Sequence, residues 1–256
     1  TVTLTLLSLI GQIAWVVENM YLNVFIYNVW NASAKDIYLM AACGAGIQIL
    51  PTRLFPFPVT LVEYMNERKV NFISWVPSAL TMVTTLNTFS EIIPNDLKRV
   101  FFVGEVFPAK HLNKWIRALP EAEYVNLYGS SEICGISCFC RITGEVPEGS
   151  SLPIGTALGN CDVKLVSDEG TVTVPGVTGE IYVASDALAE GYFGDSEKTA
   201  KSFVSADFGD GAKRYYRTGD LARYDEAGRL VFVSRSDYQI KHMGHRIELG
   251  EIETAA

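Results

Sequence analysis

The sequence is short of cationic clusters. Its 21 Lys+Arg stand against 29 Asp+Glu, a net charge of -8 over 256 residues. Binding to phosphate backbones needs clustered Lys and Arg, so a dedicated nucleic-acid partner is excluded. Histidine is scarce as well, with only three (His111, His242, His245). None of these lies close in sequence to the trio Cys134, Cys138 and Cys140. A zinc site favours CxxC-type pairs or a nearby His. The thiols are therefore expected as buried, reduced side chains that behave as small hydrophobes, with Cys138-Phe139-Cys140 alternating along a strand. Cys43 and Cys161 complete an odd set of 5 without framework spacing, which points to a reducing, cytoplasmic compartment. Internal repeats and low-complexity segments are absent, and 48% hydrophobic with 20% charged residues rules out a disordered chain.

Long apolar runs are also few. Thr1 to Val17 carries no charge until Glu18, with Gln12 in its middle. This length sits at the lower limit for a membrane span. No positive leader region or small-residue cleavage site accompanies it. A core helix of a larger domain is the expectation, without a membrane partner; a membrane-anchored protein is a distant alternative.

What is present is an alternation of strand and helix patterns. Val70–Val76 is a short apolar run, followed by Pro77 and a helical composition over Ser78–Leu86. Arg99–Val103 is a second run, closed by Gly104-Glu105. Pro108 then opens Ala109–Leu119, where Leu112, Trp115, Ile116 and Leu119 follow helical spacing. Tyr124–Leu127 is a third run, stopping at Tyr128-Gly129. This order predicts an α/β fold, a parallel sheet flanked by helices. Its ligand site is expected beyond the carboxyl ends of the strands. Near Pro153 the character changes. Val163–Val166 and Thr171–Val174 around Asp168-Glu169-Gly170 read as a hairpin, Gly179–Ala184 as a strand, and Ala222–Tyr224 with Leu230–Val233 as a second hairpin. The predicted division is an α/β part over 1–152, a β-rich subdomain over 153–236, and a short terminal piece over 237–256.

Three polar clusters are placed at turns after strands: Asn126–Glu132, Tyr216–Leu221, and Ser234–Lys241 running on to Glu253. Singly, each has a plain structural explanation: a turn, a hairpin connection and a surface ion pair worth little. Together they sum to a nucleotide site. Gly129 with Ser130 and Ser131 brings N–H groups and hydroxyls close to a phosphate. Glu132 is a hard carboxylate suited to Mg²⁺ that shares its shell with phosphate oxygens. Tyr128 offers a face to a purine, Asp220 accepts from ribose hydroxyls, and Arg235 supplies a fixed cationic fork.

The ordered series Asn-x-Tyr-Gly-Ser-Ser-Glu, Gly-Glu-Ile-Tyr-Val-Ala with Glu190-Gly191-Tyr192, Tyr-Arg-Thr-Gly-Asp-Leu, and Arg-x-Asp-x-Gln-x-Lys-x-x-Gly-x-Arg-Ile-Glu-Leu-Gly-Glu-Ile-Glu resembles the adenylate-forming superfamily. Its ending is similar to that of amino-acid adenylation domains of nonribosomal peptide synthetases and of D-alanine–carrier-protein ligases. The resemblance runs from about Asp36 onward. It implies a ligase that joins a carboxylic acid, an amino acid by preference, to ATP as an acyl-adenylate with release of pyrophosphate. The acyl group then passes to the phosphopantetheine thiol of a carrier protein. By the same resemblance Tyr128 stacks on adenine, Asn126 and Gly104 lie at its edge, and Phe232 closes its other face. Ser131 meets the α-phosphate, Glu132 holds Mg²⁺, Asp220 and Arg235 bind the ribose, and Asp237 is the hinge to a small C-terminal subdomain.

The resemblance also implies an acyl pocket of Asn31, Lys35, Ser74, Phe101, Val103, Leu127, Gly135 and Ile136, for each of which core packing is the plain alternative. Asn31 stands where the family has an Asp that anchors a substrate ammonium. An amide lacks that charge, a departure that suits an aryl, hydroxy or keto acid. No Ser/Thr/Gly-rich phosphate loop ending in Lys is found, and the chain is about half the length implied. The expected object is thus an incomplete large subdomain that binds adenylate without full turnover. The competing readings are an acyl-CoA ligase of the same superfamily and a catalytically incomplete nucleotide-binding or interaction module.

Overall fold

The computed structural model describes residues 50–237, 239–242 and 245–248. Asn31, Lys35, Cys43 and the Thr1–Val17 run lie outside the described residues.

Three parallel strands, β1 (Phe72–Trp75), β2 (Arg99–Val103) and β3 (Glu123–Ser130), alternate with helices as the sequence predicts. Helix α1 (Pro58–Glu67) precedes β1, α2 (Pro77–Thr85) joins β1 to β2, and α3 (Ala109–Ala118) joins β2 to β3. Both α1 and α2 start with Pro at the first helical position. There the missing N–H is no loss, because that donor has no partner within the helix. Leu112 and Trp115 of α3 are fully buried, and the Trp115 indole N–H donates to the Leu80 carbonyl at 3.1 Å, fixing α3 on α2. At the far end of α3 the Tyr124 hydroxyl donates to the Trp115 and Leu119 carbonyls, at 2.8 and 3.0 Å. These carbonyls already accept from the Leu119 and Ala122 N–H groups, at 2.9 and 3.2 Å, so the tyrosine adds a second donor to each and ties β3 to the end of α3.

Beyond β3 the pairing becomes antiparallel. β4 (Gly135–Ile142) pairs with β3, and β5 (Pro153–Ala157) pairs with β4 on one edge and with β11 (Leu230–Arg235) on the other. β10 (Ala212–Tyr224) follows, then β8 (Thr178–Ser185), β6 (Cys161–Ser167) and β7 (Gly170–Val172). β9 (Phe203–Asp207) pairs with β10, and a short helix, α4 (Ser196–Ser202), leads into it. The change of character near residue 153 thus falls on β5, the strand that carries the ladder from the α/β part into the β-rich part. Gln239–His242 and His245–Glu248 form a separate two-stranded ribbon.

Strand β2 is buried on both faces, which explains its unbroken apolar run. Val100 and Phe102 join Leu61, Met65, Leu80, Leu112 and Trp115 beneath the helices. Phe101 and Val103 face the other way, into a second cluster with Val125, Leu127, Ile136 and Leu158. A third core fills the β-rich part and includes Leu165, Ile181, Val183, Phe203, Tyr216 and Leu230. Cys138 and Cys140 are buried in β4, and burial pushes the Cys138 thiol up to about 12.

Candidate active site

Two placements differ from the sequence reading. Tyr128, Gly129 and Ser130 are not in a turn; they continue β3, and only Ser131–Ile133, in a single 3-10 turn, and Cys134 reverse the chain into β4. Likewise Thr218-Gly219-Asp220 lies inside β10, at an irregularity in its pairing with β8, and not in a loop. Gly129 and Ser130 are held in β3 by their hairpin partners Ile136 and Gly135 in β4, and Asp220 by Arg235 in β11, so strand pairing extends each element through residues whose own preference is for turns.

Gly129 also has a different task from the one its composition suggests. A Cβ there would fall on the Gly135 backbone carbonyl. The missing side chain therefore lets β3 and β4 cross closely at the base of the turn. Gly219 does adopt positive φ (+71°), in a segment where the Thr218 hydroxyl accepts from the Asp220 N–H and donates to the Ile181 carbonyl. This arrangement fixes the direction in which Asp220 leaves the strand.

The three clusters converge on that carboxylate. Asp220 is only 6% exposed. One of its oxygens accepts from the Tyr128 hydroxyl at 2.6 Å, and the other accepts from Arg235 Nη1 at 2.7 Å. Asp220 and Arg235 are direct cross-strand partners in β10 and β11. The rest of the guanidinium grips Asp237 through Nε and Nη2, both at 2.7 Å, and Nη2 also reaches the Thr218 carbonyl. Burial opposes the Arg235 charge, but its bonds to Asp237 and the charge of Asp220 outweigh that and raise its pKa. Burial, reinforced by Asp220, likewise holds the Tyr128 phenol protonated well above its ordinary range. Tyr128 is itself 8% exposed. Its hydroxyl positions Asp220, a task additional to the ring face implied by the resemblance.

At the turn, Ser131 is exposed while Glu132 is buried. Glu132 Oε1 accepts from the Tyr192 hydroxyl at 2.9 Å, and its backbone carbonyl accepts from the Ala189 N–H. A buried hard carboxylate beside an exposed hydroxyl suits Mg²⁺, which takes most of its ligands from phosphate and water. Among the described residues no group of three or more His, Cys, Asp or Glu side chains is arranged to hold a metal on its own.

The remaining candidates are placed as follows. Asn126 is buried and donates to the Pro153 carbonyl at 2.9 Å. Gly104, at φ +97°, follows β2, and a Cβ there would meet nothing within 4 Å. Phe232 lies in β11, packed against the third core. Phe101, Val103, Leu127 and Ile136 meet in the second apolar cluster. Ser74 sits beside Phe101 in the β1–β2 register, and Gly135 opposite Ser130. Tyr192 was visible in the sequence only as part of Glu190-Gly191-Tyr192. Its contact with Glu132 spans 60 positions, and no local signal announces it.

A buried carboxylate shared by a tyrosine and a cationic fork, with the tyrosine on the strand that leads into a Ser-Ser-Glu turn, is the arrangement these residues form in an α/β protein. The chain belongs to the AMP-binding enzyme family, whose model matches residues 14–193. It is 35% identical over 230 residues to a linear gramicidin synthase of Brevibacillus parabrevis, covering 88% of this chain and 4% of that protein. It is 31% identical over 259 residues to a D-alanine–D-alanyl carrier protein ligase of Bacillus anthracis, covering 98% of this chain and 50% of the ligase. The chain thus spans half the length of that ligase. Among solved structures it is similar to PA1221, an NRPS protein containing adenylation and PCP domains, with a TM-score of 0.71 and 31% identity over 77% of this chain and 40% of that one. No helix among the described residues is long and apolar enough to cross a membrane.

Proposed function

We propose that this chain is the nucleotide-binding core of a ligase that activates a carboxylic acid as an acyl-adenylate and passes it to a carrier protein. The single observation that carries this reading is the convergence of Tyr128, Asp220 and Arg235 from strands β3, β10 and β11, with Tyr128 on the strand that leads into the Ser131–Glu132 turn. In this reading the substrate carboxylate oxygen attacks the α-phosphorus of ATP, the bond to the pyrophosphate oxygen breaks, and pyrophosphate leaves. The carrier's phosphopantetheine thiolate then attacks the acyl carbonyl, and AMP departs. Such chemistry calls for positioning and charge neutralisation more than for acid–base groups. Asp220 and Arg235 hold the ribose, Asn126, Gly104, Phe232 and Tyr128 enclose the adenine, and Ser131 meets the α-phosphate. Mg²⁺, held by Glu132, would neutralise phosphate charge. Asp237 serves as the hinge, and residues 1–152 and 153–236 act as the two parts of one nucleotide-binding body. A cytoplasmic location suits a thiol-bearing partner kept reduced.

The acyl group is read from the walls assigned to it. Phe101, Val103, Leu127 and Ile136 offer no hydrogen-bonding side chain. A charged acyl side chain would lose its hydration there without compensation. These four walls suit an apolar portion of the acyl group, whether of an amino acid or of an aryl, hydroxy or keto acid, the latter group being the one that Asn31 suits.

Calorimetric titration with AMP tests the site. Asp220→Ala removes charge-assisted bonds worth about 1.5–3 kcal/mol each, so affinity is expected to fall by about 10- to 100-fold. An unchanged affinity would point to a non-catalytic module. Pyrophosphate exchange over a panel of acids identifies the substrate. Comparison of a carrier protein with coenzyme A as thiol acceptor separates this reading from an acyl-CoA ligase.

A further inference from the structure

We infer that Tyr192 is a positioning residue for Glu132, holding the carboxylate so that a divalent cation on the bound triphosphate finds it already oriented. The inference rests on the nucleotide-site reading above. Tyr192 reaches Glu132 from a loop that is itself tied down at several points. Asp195 caps α4 by accepting from the Lys198 N–H at 2.8 Å. The Thr199 hydroxyl accepts from the Tyr192 backbone N–H at 2.9 Å and donates to the Asp195 carbonyl at 2.7 Å. A Cβ on Gly191 would collide with the Thr199 side chain, so the loop can close on α4 only with glycine there. The Tyr192 ring lies edge-on to Phe203, and the Lys198 ammonium sits over its face at 4.7 Å. The ring is thus fixed by α4 and by the start of β9. Its hydroxyl then donates to Glu132 Oε1 at 2.9 Å, while the Ala189 N–H holds the Glu132 carbonyl at 2.9 Å.

The same loop therefore grips both the backbone and the side chain of Glu132. Burial confines the Glu132 side chain, and the Tyr192 hydroxyl fixes the direction of its Oε1. Partners that orient a metal's carboxylate typically change metal affinity by about 10- to 100-fold.

The test is Tyr192→Phe in the full-length protein, a change that keeps the ring, its packing on Phe203 and the Lys198 contact. ATP binding is followed by calorimetry over a series of Mg²⁺ concentrations, with AMP binding and thermal unfolding measured in parallel. The Mg²⁺ concentration at half-effect is expected to rise by about 10- to 100-fold, with AMP affinity unchanged. A double-mutant cycle with Glu132→Gln separates positioning from general loosening. The pair Y192F/E132Q should couple to Mg²⁺ no more weakly than E132Q alone. Unaltered Mg²⁺ dependence in Y192F, or additive effects in the cycle, overturns this inference and leaves the nucleotide site standing. A wild-type protein that binds neither AMP nor ATP overturns both.

Discussion

Tyr128→Phe isolates one hydroxyl at the centre of the site. The substitution keeps the ring, so any stacking with a base survives. It removes only the 2.6 Å bond to Asp220. Asp220 is then left with an oxygen, in a carboxylate 6% exposed, that has lost its phenolic donor. A hydrogen bond to a charged group is worth about 1.5–3 kcal/mol net. The pairing of Asp220 with Arg235 persists, so the loss should lie within that range and not reach the larger cost of a broken buried ion pair. At roughly 2–4 °C per kcal/mol for a protein of this size, thermal unfolding should shift down by about 3–12 °C. AMP should bind more weakly than to wild type, because the ribose acceptor is less well held, yet more tightly than to Tyr128→Leu, which loses the ring as well. Scanning calorimetry and AMP titration on the three proteins measure both effects. A Tyr128→Phe protein with wild-type melting and wild-type AMP affinity would refute the claim that this hydroxyl positions Asp220.

Other perturbations probe other parts of the fold. Gly129→Ala places a methyl on the Gly135 backbone carbonyl, where neither strand can yield. It should cost about 3 kcal/mol, seen as a melting point lower by roughly 6–12 °C. His111 has its pKa lowered below 6.5 by burial and by the charges of Lys114 and Lys110, and its Nδ1 lies 2.8 Å from the Thr84 hydroxyl. Its folded pKa is depressed, so the unfolded chain binds the proton more readily. The stability it contributes is present above about 6.5 and is lost as pH falls through the lower folded value. Urea titrations across that window should show a slope that His111→Gln flattens. Arg235→Lys keeps a charge but cannot grip Asp220, Asp237 and the Thr218 carbonyl at once. It is expected to weaken AMP binding, and equal affinity in the two proteins would argue against the shared fork.

Much of the architecture is legible in the residues themselves. Pro77 and Pro108 mark two helix starts, and Leu112 and Trp115 identify the buried stripe of α3, because helical periodicity and first-turn proline are local properties. The apolar runs over Ile73, Val100–Val103 and Val125–Leu127 name the three parallel strands for the same reason. The residues of the candidate site are legible too, as polar clusters that are individually ordinary and collectively specific.

Their spatial relations are another matter. Tyr128 and Asp220 are 92 positions apart, and Tyr192 and Glu132 are 60. No periodicity or turn preference encodes such a contact, since it arises when β5 joins two ladders into one sheet and β10 is drawn beside β11. Pairing with the next strand, β4, carries Gly129 and Ser130 into β3 against their own tendency to turn. It also makes Gly129 a crossing point between strands. The sequence by itself determined the candidate residues and the helices and strands marked by periodicity and apolar runs, though not that the strands continue through Tyr128–Ser130 and Thr218–Asp220. Only the tertiary structure decided which carboxylate each tyrosine holds, because a hydrogen bond depends on ångströms that a sheet, once closed, sets for residues far apart along the chain.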